Sequence, residues 1–290
     1  MSTETLQHKI DFAVSLRVTN ANPNGDPLNG NRPRLTFDDH GEITDVAIKR
    51  KIRDRLMEAD EKIFVQTDDR RAKDDTYKNL RERADAALGK VNDKTDPKDY
   101  IVKACKQWID VRSFGQVFPF KAKKGEGGEG ESGVSIPVRG PVSIQSAFSV
   151  DPIQLVSTQI TKGTSLEGDG INRQSDQMGM KHRLDGTATY VFYGSMNPQL
   201  AERTGFEDVD AEAIKDVLLK LFENDESTAR PSGSMRVVER VWWDHRTKSG
   251  KLSSAQVHDI IRASMKPDGT FDKDKLNHKD MPEVEVTPGF

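Results

Sequence analysis

Asn20, Asn22, Asn24, Gly25, Arg32 and Arg34 fall in one short stretch, TNANPNGDPLNGNRPR, at residues 19–34. Amide groups, glycine backbone and two guanidiniums offer hydrogen-bond donors and positive charge but no nucleophile. Such a set suits an anionic backbone, where phosphate contacts position a strand without reading it. Asn, Pro and Gly also build long surface turns, and by composition that reading comes first. A second set, Lys49, Arg50 and Arg53, follows at helical spacing. A third comprises Lys162, Arg173, Lys181, His182 and Arg183, with Met178 and Met180 among them. His182, flanked by two cations, is a candidate general base, although a solvated basic run accounts for the same residues. Asp26 is the acid placed where a bound backbone would pass, and an Asx-turn gives it an ordinary role.

Other chemistries lack their residues. The six histidines are scattered, with no HxH or HExxH spacing for zinc, so no metal site is expected. There is no P-loop and no GxSxG elbow, and no cofactor is implied. A literal GxGxxG at Gly125, Gly127 and Gly130 precedes no helical pattern, and Glu126, Glu129 and Glu131 would repel a pyrophosphate. Cys105 stands alone and reads as a reduced intracellular thiol. The net charge is -3 and the mean hydropathy -0.71, so any phosphate binding must come from local patches. Neither a signal peptide nor an apolar run of membrane-spanning length is present, which points to a cytoplasmic protein with no membrane partner.

The elements that would position these residues are partly visible. Ile10, Phe12, Val14, Leu16 and Val18 alternate with smaller or polar residues, which predicts a strand with one apolar face. Thr44 is a good N-cap, and Ile48, Ile52, Leu56 and Ala59 form a helical stripe with Lys49, Arg50 and Arg53 on its flank. Residues 66–99 read as a surface helical excursion, with Tyr77, Leu80, Ala84 and Leu88 as a thin stripe. A helix is expected from Tyr100 to Val111. Residues 121–133 are low-complexity and should be mobile. Residues 134–150 are strand material. Leu155 to Thr161 and Thr187 to Tyr193 alternate like strands around a protruding finger, of a length uncommon in loops without function. Helices are expected at 210–224 and 254–265, and a strand at 235–243. The order suits an α+β fold, an antiparallel sheet with helices on one face and the other face free to bind. RSFGQVFPF (residues 112–120) has the flavour of an RNA-recognition motif but departs from the usual signature.

Taken in order, several stretches resemble one family. They are TNANPNGDPLNGNRPR, VAIKRKIRD, DVRSFG, GPVSIQSAFSVDP and SDQMGMKHRLDGTATYVFYGSMNP. The resemblance is to the backbone subunit of CRISPR Cascade complexes, in the RAMP superfamily, closest to the subtype I-C version. It implies a modified ferredoxin-like, RNA-recognition-motif core forming a single palm domain over 1–290. It further implies a helical insertion at about 60–111, a mobile loop at about 121–133 and a β-hairpin thumb at about 158–186. Copies would assemble head to tail into a helical homo-oligomer on one guide (CRISPR) RNA, alongside other Cascade subunits. The guide would then pair with target DNA, so that base pairing reads sequence and protein reads backbone.

Carried over residue by residue, the resemblance makes Asn20, Asn22, Asn24, Gly25, Arg32 and Arg34 the first RNA-facing loop. Lys49, Arg50 and Arg53 become phosphate contacts on a basic helix. Arg112, Phe114 and Gly115 match the DVRxFG element, with Phe114 either core or a stacking platform. Ser143 and Gln145 would lie under the RNA. Lys162, Arg173, Met178, Lys181, His182 and Arg183 belong to the thumb, with Met178 as a wedge at a displaced base. Lys121, Lys123 and Lys124 are candidate contacts to target DNA, opposed by neighbouring glutamates. No catalytic residue is expected. The alternative is a RAMP-type endoribonuclease acting on guide-precursor or target RNA through Asp26 or His182. A reading without the resemblance is an unrelated cytosolic oligomer with a long binding loop. Replacing Lys49, Arg50 and Arg53 together is expected to weaken RNA loading without unfolding the chain, since the apolar stripe is untouched.

Overall fold

A computed structural model describes residues 4–71, 75–91, 95–120, 134–161, 177–281 and 283–290. Strands β1 (Ile10–Thr19), β2 (Gly25–Asp26), β3 (Arg32–Leu35) and β4 (His40–Ile43) precede helix α1 (Asp45–Glu58). Helices α2 (Leu80–Leu88), α3 (Pro97–Gln107) and α4 (Ile109–Phe114) lead to β5 (Gly115–Phe120) and β6 (Val134–Arg139). Then come β7 (Val142–Ile144), β8 (Ala147–Pro152), β9 (Leu155–Thr161), β10 (Gln177–Leu184) and β11 (Thr187–Met196). Helices α5 (Pro198–Thr204) and α6 (Asp208–Leu218), strand β12 (Met235–Asp244), helices α7 (Ser254–Ser264) and α8 (Lys273–Leu276), and β13 (Glu285–Pro288) complete the described elements.

The main sheet is antiparallel, in the order β13-β12-β1-β11-β8-β4-β3-β2, with β7 also paired to β11. The expected α+β architecture is present. Along β1, Ile10, Phe12, Val14, Leu16 and Val18 enter one core with Ile48, Ile52 and Leu56 of α1 and Ile214 and Leu218 of α6. Burying a side chain of this size is worth about 1.5–3 kcal/mol, so the α1 stripe alone anchors the helix. Ala59, expected on that stripe, is exposed and caps the helix C-terminus.

The second sheet face is not wholly free, which corrects the sequence expectation. Ala13, Tyr193, Val241 and Trp243 pack there against Val257 and Ile261 of α7, with Phe271, Leu276 and Met281. Asp11 and Ser15, which looked like solvent-facing positions, are therefore fully buried. Asp11 meets this layer through charge. His245 Nε2 lies 2.7 Å from its Oδ2, Lys9 Nζ 3.2 Å, and His258 Nε2 3.7 Å from its Oδ1.

A third cluster lies within the region expected as an insertion. Phe64, Ala84, Tyr100, Cys105 and Trp108 pack with Phe118, Ile136 and Val138 of the β5–β6 hairpin. The helix expected from Tyr100 to Val111 is two helices, because Trp108 adopts an extended conformation (φ -130°, ψ 125°). That break lets Trp108 reach Phe64, at 4.6 Å between ring centroids.

The finger is also built differently from the expectation. Leu155–Thr161 pairs with Gln177–Leu184, whereas Thr187–Met196 belongs to the main sheet beside β1. Gly186, at φ +70°, makes the turn that separates the two. Leu184 at the finger's base is fully buried in the main core. The expected mobile stretch at 121–133 lies outside the described residues. No helix among the described residues is long and apolar enough to cross a membrane.

Candidate nucleic-acid interface

The asparagine loop is built inward. Asn20 takes a left-handed backbone (φ 49°), which asparagine tolerates better than most residues. Its N–H donates to Gly186 O at 2.8 Å, and its Oδ1 accepts from Gly186 N at 3.2 Å and from Arg183 Nη1. Asn22 is buried, 4% exposed, with Nδ2 donating to Asn31 O at 2.8 Å and its backbone N–H to Ala229 O at 2.9 Å. Asn24 Oδ1 accepts from both the N–H and the hydroxyl of Thr44, each at 3.0 Å. Thr44 in turn caps α1 by accepting from Ala47 N–H. Gly25 sits where a Cβ would lie 2.0 Å from Asn31 Oδ1. The expectation that Asn22 and Asn24 face a ligand is corrected. Asn22 Nδ2 and Asn24 Oδ1 are committed to bonds within the chain, and those bonds brace the loop.

What the brace presents is guanidinium. Arg32 is exposed on β3, and Arg34 is half-buried, 3.6 Å from Asp26 Oδ1. Asp26 caps the short turn Pro27–Asn29 by accepting from Leu28 N–H at 3.2 Å. That is the Asx-turn role.

The flank of α1 carries its three cations, each beside a carboxylate. Lys49 Nζ lies 2.9 Å from Asp45, and Arg50 lies 3.4 Å from Asp69 and 3.8 Å from Asp54. Arg53 Nε donates to Asp110 Oδ2 at 3.0 Å and is only 14% exposed. Asp110 also accepts from the N–H groups of Phe64 and Val65, at 2.7 and 3.1 Å. The three cations expected as one patch on the helix flank are therefore not equivalent. Arg53 joins α1 to the 60–111 segment, while Lys49 and Arg50 remain nearer the surface.

The DVRSFG element is likewise structural. Arg112 grips Asp210 with two bonds, at 2.8 and 2.7 Å, a bidentate geometry that holds α4 to α6. Phe114 packs partly into the main core under Arg53, whose guanidinium lies 5.1 Å from the ring centroid, with Lys49 at 6.0 Å. Gly115 turns α4 into β5 at φ +81°, and a Cβ there would meet Val138 O at 2.3 Å. Any side chain at position 115 is thus opposed by both strain and backbone contact.

Ser143 in β7 and Gln145 just beyond it are exposed, whereas Val142 and Ile144 pack with α1 in the main core. On the finger, Lys181, His182 and Arg183 pair across from Thr158, Ser157 and Val156. His182 Nδ1 is 2.8 Å from Ser157 Oγ. Met178 lies in β10, its side chain outside the described residues, as are Lys162, Arg173, Lys121, Lys123 and Lys124.

A second basic cluster escaped the sequence reading. Lys51 pairs with Asp225, which also meets Arg230 at 3.1 Å and Arg70 at 3.7 Å. Burial, opposed by the Asp225 charge, pushes Lys51 down to about 8. These residues come from three separate parts of the chain, which no local pattern links.

The profile of the family described as CRISPR-associated protein Cas7 matches residues 8–287. A protein of Haloferax volcanii described as CRISPR-associated protein Cas7 is 27% identical over 218 residues. That alignment covers 72% of this chain and 62% of the relative's own length. Among solved structures, a chain of a "CRISPR RNA-guided surveillance complex, pre-nicking" aligns with TM-score 0.46 and 13% identity, over 81% of this chain and 77% of that one. A chain of a "CRISPR RNA-guided surveillance complex" aligns with TM-score 0.40 and 15% identity, over 81% and 68%.

Proposed function

This chain belongs to the CRISPR-associated protein Cas7 family, and from that premise we propose that it is a non-catalytic, guide-RNA-binding backbone subunit of a type I-C Cascade surveillance complex. Copies assemble head to tail along one guide, with other Cascade subunits, and present the guide for pairing with target DNA in the cytoplasm. The chain is a single palm domain, with a thumb at about 158–186 rooted on β9 and β10. The family match over nearly the full length carries this reading. The braced loop supports it, since it spends its amides on itself and presents Arg32, with Arg34 half-buried behind it. Asp26 supports the non-catalytic half, because its carboxylate already serves Leu28 N–H and Arg34.

Binding of single-stranded RNA, measured by fluorescence anisotropy across a salt series, tests the reading. Affinity should fall as salt rises, with a log–log slope of roughly 0.7 per phosphate neutralised. The Arg32→Ala, Arg34→Ala double variant should weaken binding and lower that slope by roughly one phosphate contact per arginine. Its melting temperature should stay close to that of the wild type. Incubation with guide-precursor RNA or complementary RNA should leave both intact. Cleavage that disappears in Asp26→Ala or His182→Ala would replace the scaffold reading with the endoribonuclease one.

A further inference from the structure

The loop at 20–24 is fastened to three other parts of the chain. Its first residue holds the base of the finger. Asn20 Oδ1 accepts from Arg183 Nη1 and from Gly186 N–H, and Asn20 N–H donates to Gly186 O. The next residue continues the bond, as Ala21 O accepts from Leu184 N–H at 3.0 Å. Asn22 then ties the loop to Ala229, and Asn24 ties it to the N-cap of α1. Thus the end of β10 is fixed, through one short segment, to the start of α1.

Among the described residues the finger's other fixed points are few, and they include the packing of β10 against β3. Leu184 and Leu155 contact the main core, and Asp185 N–H bonds Gln154 O at 2.8 Å. Beyond this base β9 and β10 pair with each other and belong to a separate two-stranded sheet. A two-stranded ribbon is marginal by itself and takes its direction from its root. Asn20 is exposed, and its side-chain oxygen accepts from a charged donor and a backbone donor at the finger's base.

We infer that Asn20 is a positioning residue. Its amide oxygen latches Arg183 and Gly186, setting the angle of the finger to the sheet, and Asn20 does not itself contact RNA. The inference rests on the RNA-binding reading for its functional consequence. Its structural content, the latch, does not depend on that reading.

Two variants separate the parts. Asn20→Gly keeps the left-handed backbone without strain and removes the oxygen. Asn20→Asp keeps an acceptor oxygen and removes the amide donor. Spin labels at Gln159→Cys on β9 and Val209→Cys on α6, both exposed, report the finger angle in RNA-free protein. Cys105 is buried, with its thiol pushed up to about 11, so it stays unlabelled.

The wild type and Asn20→Asp should give one narrow distance distribution, and Asn20→Gly a broad one. RNA affinity should drop about tenfold in Asn20→Gly, the factor that accompanies loss of a hydrogen bond to a charged group. It should stay within about threefold of wild type in Asn20→Asp, for which the latch is retained. A narrow distribution in Asn20→Gly overturns the latch. Weak binding by Asn20→Asp despite a narrow distribution overturns the positioning role and makes Asn20 a direct RNA contact. A wild type that binds no RNA overturns the RNA reading, and the distances then decide the latch alone.

Discussion

Arg53→Ala will lower the melting temperature by roughly 10 °C, because it leaves a buried carboxylate without its charge. Asp110 is 1% exposed and accepts from Arg53 and from the N–H groups of Phe64 and Val65. Removing one member of such a buried pair typically costs about 3–5 kcal/mol. Asp110→Ala should cost at least as much, since two backbone donors then lose their acceptor too. Thermal melts of both variants measure this. A melting temperature for Arg53→Ala within about 2 °C of wild type would mean that the pair is solvated and weak. The prediction changes how the basic helix must be tested. The triple replacement of Lys49, Arg50 and Arg53, which sequence spacing suggested would leave the fold intact, combines surface cations with a fold-holding one. Only Lys49 and Arg50 can be removed as a clean test of phosphate contact.

Asp11→Ala will loosen the α7 layer from the sheet, at a cost also near 3–5 kcal/mol. The carboxylate accepts from His245 Nε2–H, whose proton is placed there because Nδ1 accepts from Lys251 N–H at 2.9 Å. Without Asp11 that buried donor is left unpaired, and Lys9 keeps its bond to Leu252 O, at 3.0 Å. Asp11→Asn should cost less, as it keeps an acceptor for His245.

Acid acts on the same place. Burial pushes the Asp11 carboxyl up, but the hydrogen bond from His245 and the Lys9 charge outweigh it and hold the group below the usual carboxylate range. Burial likewise pushes His258 below the ordinary histidine value, against the pull of Asp11. Both groups are depressed in the folded state, so each contributes stability that is present above its unfolded value. For His258 that contribution is lost as the pH falls below about 6.5, and for Asp11 only in stronger acid. Melting temperature should therefore fall between about pH 7.5 and about pH 5, and His258→Gln should flatten that fall. An equal slope in the variant would assign the acid sensitivity to other groups.

What could be read from sequence follows the range of the signal. The alternation of β1, the Thr44 cap and the Ile48, Ile52 and Leu56 stripe of α1, and the existence of α6 and α7 are encoded within a few residues and form, although α6 ends at Leu218 rather than at 224. Asp11 and His245 stand 234 residues apart, and neither carries a local mark of its partner. The same holds for Arg53 with Asp110 and Arg112 with Asp210, each of which looked like a free cation. Thr187 to Tyr193 alternates like a finger strand because any sheet strand would. The pairing that places it beside β1 is a tertiary choice. In the loop, the residue types were right for contacting a backbone, but three of the asparagines contact their own chain. Composition does not say which way an amide points.

The mass of RNA that accompanies the protein after expression with a guide array tests the central claim most directly. The account predicts a complex in which several copies of the chain share one RNA of guide length, seen by native mass spectrometry and by an absorbance ratio raised above that of protein alone. RNA-free protein of single-chain mass, purified from the same cells, would contradict it.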